Sequence, residues 1–168
     1  MKRTTKSAIC TFMLAFALVS VSQVNADEFI IPFDEGVACS DFALTLKITT
    51  SDHYVVKQWT DESGALVRML TAGKGVDLEF VNEETAATFK IKGNGSVSHT
   101  TYNPDGSSTV STEGHNVIIF YPTDLPAGVG PSTKQYVGRV VFTVDEYGTF
   151  MLQEVKGKTT DICDALSE

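Results

Sequence analysis

Hydrophobic and polar positions alternate from Phe42 onward: Phe42, Leu44, Leu46 and Ile48 fall on one face of an extended chain, and Ala43, Thr45 and Lys47 on the other. The two-residue period returns in VDLEFVN, where Val76, Leu78 and Phe80 alternate with Asp77 and Glu79. It returns again in AATFKIK, where Ala87, Phe89 and Ile91 oppose Thr88, Lys90 and Lys92. Each run reads as a strand with one buried face. Turn residues separate the runs at about eight-to-twelve-residue spacing: DESG at 61–64, AGKG at 72–75, NEET before AATFKIK, and GNG at 93–95. Links this short predict antiparallel neighbours.

The strongest hairpin signal is YNPDGSS. Pro104 presets φ for a type I turn, and Gly106 supplies the left-handed position that follows it. Placing Asn103 opposite Ser107 pairs His99 with Ser111 and Val97 with Glu113.

The last three runs, NVIIFY, YVGRVVFTV and FMLQEV, are apolar on both faces, so two covers are needed. The nearest unassigned apolar segment is EFIIPF. Phe29, Ile30, Ile31 and Phe33 are therefore expected across the outer face of these strands, with a homodimer as the other cover. Pro32 suits an edge or a packed extended segment. The one long loop, residues 122–135, is rich in Pro and Gly, and loops of this length are often functional.

The pattern thus predicts an all-β fold: an antiparallel meander of about eight to ten strands, plus one short helical turn at TDICDAL. An up-and-down β-barrel would remove the exposed edges of such a meander, and a β-sandwich is the alternative. A barrel of more than eight strands can leave interior room for a ligand.

Residues 1–26 change the compartment. A basic start (Lys2, Arg3, Lys6), an apolar stretch of about fourteen residues and small residues up to Ala26 have the layout of a secretory signal peptide. The expectation is a secreted, extracellular domain over 27–168. No later stretch nears the roughly twenty apolar residues of a membrane span, so no membrane insertion is expected after signal removal. Without the leader, ten basic residues face twenty-one acidic ones, a net −11. That balance argues against nucleic acid and anionic membrane surfaces as partners. Cys10 leaves with the leader, and the two remaining cysteines, Cys39 and Cys163, are expected to pair in an oxidising compartment. A closed loop of 124 positions is worth at most about 5 kcal/mol by the chain-entropy model.

With GHNVIIF, LPAGVG, GRVVFTVDEYGTF and the closing TTDICDAL, the chain resembles a family of small secreted β-rich proteins from bacteria and fungi. Its members open on a cysteine and a hydrophobic strand, then show a Pro-Asp-Gly hairpin, a Gly-Arg/His-Asn turn and a closing Asp-x-Cys segment. The resemblance covers about residues 39–166. It implies secretion, a β fold and the Cys39–Cys163 bond, and it transfers no catalytic residue.

Candidate chemistry is sparse. In the hairpin register His115 lies about four residues beyond the partner of His99, roughly 13 Å away, too far for one zinc ion to take both. His53 stands apart in sequence. The acidic pairs Asp34-Glu35, Asp61-Glu62, Glu83-Glu84 and Asp145-Glu146 fall at turns, where solvated side chains outweigh a glycosidase reading. NPDGS lacks the glycine position and closing glutamate of a calcium loop. No Gly-x-Ser-x-Gly element occurs, so no catalytic residue, cofactor or metal is assigned. NGS at 94–96 is a glycosylation sequon. Trp59, Tyr54, Tyr121 and Tyr136, with His99, are the candidate ligand-binding residues, because pockets favour aromatics with a few polar groups. The expected function is a non-enzymatic barrel that binds a small apolar ligand or an extracellular macromolecule, as monomer or homodimer. A barrel-type isomerase or cyclase, and a cell-surface interaction protein without a pocket, are the alternatives.

Overall fold

A computed structural model describes residues 28–49 and 54–168. The leader, its cleavage site and His53 lie outside the described residues. Ten strands follow in chain order: β1 (Glu28–Phe33), β2 (Leu44–Thr49), β3 (Tyr54–Thr60), β4 (Leu66–Gly73), β5 (Asp77–Asn82), β6 (Thr88–Ile91), β7 (Ser96–Tyr102), β8 (Ser108–Phe120), β9 (Ser132–Val144) and β10 (Phe150–Asp161). Among the described residues one helix, α1 (Ile162–Ser167), follows β10.

The strands form two antiparallel sheets, β1-β2-β5-β6 and β10-β9-β8-β7-β4-β3. They do not close into a barrel, so the arrangement is that of the sandwich alternative. The reason lies in the β3–β4 hairpin. β2 and β5 share a one-faced pattern, and they pair with Leu46 opposite Phe80 and Ile48 opposite Leu78. β3 carries apolar residues on both faces, Tyr54 and Val56 against Val55 and Trp59, and every one of its residues is exposed. The β3–β4 hairpin therefore leaves the first sheet and extends the edge of the second, where β4 pairs with β7.

One core lies against the four-stranded sheet. Leu44, Leu46, Phe80 and Ile91 are buried there with Phe42, and Val117 and Ile119 of β8 pack on them from the second sheet. The other faces of β8 and β9 build a separate cluster of Phe120, Tyr136 and Val140. Phe120 meets Tyr136 and Phe150 edge-on at 6.4 and 5.3 Å, and Phe142 stacks on Phe150 at 4.5 Å.

Both faces are thus covered, but β1 does not cover the outer one. β1 is the edge strand beside β2, with Phe29, Ile30 and Ile31 exposed. The long loop supplies the cover instead. Val129 packs on the Phe120 cluster, Leu125 exchanges hydrogen bonds with Phe150 and Leu152 of β10 at 2.8 and 2.9 Å, and buried Asp124 accepts from the Tyr121 amide at 2.7 Å. A main-chain ladder to β10 anchors this loop more firmly than side-chain contact could anchor a Pro-containing edge strand.

Three glycines stand side by side across the long strands: Gly114 opposite Gly138, and Gly138 opposite Gly157, with φ of 104°, 137° and 124°. L-residues rarely adopt these angles. The row crosses β8, β9 and β10 at one level. On one side of the row Val117 and Ile119 reach the first sheet; on the other β8 pairs with β7, which carries β4 and β3.

The helix closes the first core. Asp161 caps it by accepting from Cys163 N at 3.0 Å, Ile162 and Leu166 are buried, and Cys163 is bonded to Cys39 with a Cα–Cα distance of 5.6 Å.

Candidate functional site

A cavity of about 220 Å³ opens where the end of the four-stranded sheet meets β8 and β9. Its apolar part comes from Val76, just before β5, with Leu78 of β5 and Ile91 of β6 on one side and Val117 of β8 on the other. Polar groups come from His115, Asn116 and Gln135, with Lys92 and Asn94 from the β6–β7 connection and Ser96 from the start of β7.

Glycines let three main-chain segments close around this space. A Cβ on Gly93 would stand 2.8 Å from the Gly75 carbonyl oxygen, one on Gly95 2.8 Å from that of Gly73, and one on Gly114 2.7 Å from that of Gly95. Such approaches exclude any side chain at these positions. The close contact also holds the site residue itself, because the amide of His115 donates to the Gly95 carbonyl at 3.1 Å.

Two side-chain nitrogens of the residues that border this space, Nδ1 of His115 and Nδ2 of Asn116, are buried without a hydrogen-bond partner. The other end of the Asn116 amide, Oδ1, accepts from the Thr112 hydroxyl at 2.6 Å. A hydroxyl can donate or accept, so either orientation of the amide leaves one polar atom unpaired. Each unpaired buried group costs about 1–3 kcal/mol.

The charges at the rim are mixed. Lys92 pairs with Asp77 at 2.8 Å, and Asp77 also accepts from the Gly93 amide at 2.8 Å. The Lys92 hydrogen bond, then that of Gly93, holds the Asp77 carboxyl below the usual carboxylate range, although burial opposes the shift. On the neighbouring outer face of the four-stranded sheet, Glu79 lies between Lys90 at 2.8 Å and Lys47 at 3.4 Å. No Asp or Glu lines the cavity itself.

The aromatic candidates are dispersed. Tyr54 and Trp59 lie on opposite faces of β3, 65% and 38% exposed, and Arg68 sits over the Trp59 ring at 4.5 Å. His99 is exposed on β7, opposite Leu70 and Ser111. Tyr121 begins the long loop, and Tyr136 is 3% exposed in the second core, where burial, and secondarily Asp161, raises its phenol above the ordinary value. None of these five lines the cavity. Among the described residues no three His, Cys, Asp or Glu side chains converge as a metal site.

Sequence reasoning weighed His115 only as a metal ligand beside His99, and took Asn116 only as the start of the run NVIIFY. They lie within β8, next to Gly114 with its φ of 104°. The available signal was two adjacent polar residues at the start of an otherwise apolar strand, VIIF, beside a glycine. Compared with protein-family models, with curated proteins and with solved structures, the chain matches none.

Proposed function

We propose that this protein is a non-enzymatic extracellular binding domain that takes one small molecule into the cavity beside His115 and Asn116. The observation that carries the reading is a space of about 220 Å³ with an apolar side, bordered by the polar residues His115, Asn116 and Gln135. Small-molecule sites combine mostly apolar walls with a few convergent polar groups. The size also fits, since a cavity of about 150 Å³ holds benzene. Within the lining no carboxylate stands beside His115 to orient it as a general base, which favours binding over catalysis. The Cys39–Cys163 bond supports an oxidising, extracellular setting.

Amide chemical shifts of the protein from residue 27, titrated with single-ring fragments, test the proposal. Saturable changes should centre on Ser96, His115, Asn116 and Gln135 and disappear in His115→Trp, where the larger ring occupies the space. Changes spread over the surface, or unaffected by that substitution, would overturn it.

A second reading, docking of a macromolecule along β3, draws on the exposure of Tyr54, Val55, Val56 and Trp59 on a free sheet edge.

A further inference from the structure

We infer that Asn94 is a site of spontaneous covalent modification, where the Gly95 main-chain nitrogen closes on the Asn94 side chain to form a succinimide that opens to aspartate and isoaspartate.

After the leader the chain has four asparagines, Asn82, Asn94, Asn103 and Asn116. Ring closure needs a side-chain amide that is free to turn and a following N–H that is free to attack. Asn82 is 2% exposed, with Nδ2 donating to the Leu166 carbonyl and Oδ1 accepting from Glu84 and Thr85. Asn103 donates to the Ser107 hydroxyl at 2.9 Å, and the next residue, Pro104, has no N–H. Asn116 lies inside β8 with its Oδ1 engaged by Thr112, and the β-branched Val117 that follows crowds the nitrogen. Asn94 meets both conditions. It is exposed between β6 and β7, and Gly95 brings no side chain to hinder the attack. Among the described residues no hydrogen bond engages the Asn94 amide or the Gly95 N–H. The bonds around it fall elsewhere: the Gly93 amide donates to Asp77 at 2.8 Å, and the Gly95 carbonyl accepts from His115 N at 3.1 Å.

Asp105-Gly106 is the other pair that places a glycine after Asn or Asp, and an aspartic acid closes the same ring by losing water. Here the nucleophile is engaged, since the Gly106 amide donates to the Asn103 carbonyl at 3.1 Å. The Ser107 hydroxyl, then its amide, holds the Asp105 carboxyl below the usual range, and a carboxylate is a poor electrophile.

At Asn94 the Gly95 nitrogen gives up its proton and bonds to Cγ. The Cγ–Nδ2 bond breaks, and ammonia leaves with that proton. Water then opens the imide. Cleavage at Cγ gives aspartate on an unaltered main chain, whereas cleavage at the main-chain carbonyl carbon routes the chain through Cγ and lengthens it by one carbon. The surroundings have no room for the longer link, because a Cβ on Gly93 or Gly95 would already stand 2.8 Å from the Gly75 or Gly73 oxygen. Isoaspartate therefore displaces Gly95 and the carbonyl that holds His115. Either product sets a carboxylate at the border of the cavity.

Protein made without Asn glycosylation and kept folded at pH 8 and 37 °C tests the assignment. Fragment mass spectra should show the gain of water less ammonia at Asn94 at least tenfold faster than at Asn82, Asn103 or Asn116. Asn94→Gln, which would need a six-membered ring, should abolish it. An isoaspartate-specific methyltransferase should label the aged protein but not fresh Asn94→Asp, and hydrogen exchange of the His115 amide should quicken in the isoaspartyl fraction alone. If another asparagine converts as fast, or if folded Asn94 stays intact while the guanidinium-unfolded chain converts there, the assignment is wrong. Unchanged His115 exchange in the isoaspartyl fraction would overturn the displacement of Gly95.

Discussion

The side chain of Asn82, at the end of β5, donates to the carbonyl oxygen of Leu166 in the terminal helix at 3.1 Å, across 84 residues of sequence. Its Oδ1 accepts from the amides of Glu84 and Thr85 at 2.9 and 3.3 Å, so one buried amide holds both the β5–β6 turn and the helix.

Asn82→Ala should therefore lower the unfolding free energy by about 1–3 kcal/mol for each buried group it leaves unpaired. Urea unfolding measures this as a fall in midpoint at constant slope. An unchanged midpoint would mean that water replaces the amide without loss.

Gly138 occupies the centre of the glycine row, and a Cβ there would run into the Lys156 carbonyl at a φ of 137°. Gly138→Ala should destabilise more than Gly36→Ala, whose Cβ meets nothing although φ is also positive, at 78°. Left-handed strain accounts for about 1–2 kcal/mol at either site, and the backbone collision adds to it only at Gly138. Melting temperatures of the two variants decide the matter; equal losses would show that the sheet tolerates the collision by shifting.

Acid should weaken the fold through its hairpin turns. Asp145 accepts from the amides of Thr149 and Tyr147 at 2.7 and 2.9 Å, and these bonds, Thr149's first, lower its pKa from 3.8. Asp61 does the same with Ser63 and Ala65, the Ser63 hydroxyl having the largest effect. A carboxylate with a depressed folded pKa contributes stability that is fully present above its unfolded value and is lost as pH falls through the folded one. Stability should thus hold from neutrality to about pH 4 and decline below it. Asp145→Asn keeps an acceptor but does not titrate, so its urea midpoint should fall less between pH 4 and 2 than that of the unsubstituted protein. Parallel declines would remove Asp145 from the account.

Strand identity was legible wherever one face was apolar. Leu44, Phe80 and Ile91 were assigned to the core from alternation alone, and the NPDG hairpin has the predicted register, His99 opposite Ser111. Sheet membership was not legible, because β3 has no single apolar face and its partner depends on which edge remains free after β2 and β5 have met. The cover over Phe120 was sought in the hydrophobic segment EFIIPF, yet a Pro- and Gly-rich loop provides it through main-chain bonds that no side-chain pattern encodes. The cavity was missed for a related reason. Its polar wall depends on Gly114, Gly93 and Gly95 bringing distant backbone together, and a glycine read locally is only a turn.

The Cys39–Cys163 bond makes 125 consecutive residues a covalent ring, which β1 precedes and Asp164 to Glu168 follow. A protease that cuts one exposed turn inside the ring, such as 61–64 or 145–148, opens a circle without releasing a fragment. The two new ends remain held by the strands on either side, and only a second cut or a reductant lets the pieces part. For a domain read as extracellular, the tail cysteine thus supplies tolerance of damage: one broken peptide bond leaves one molecule.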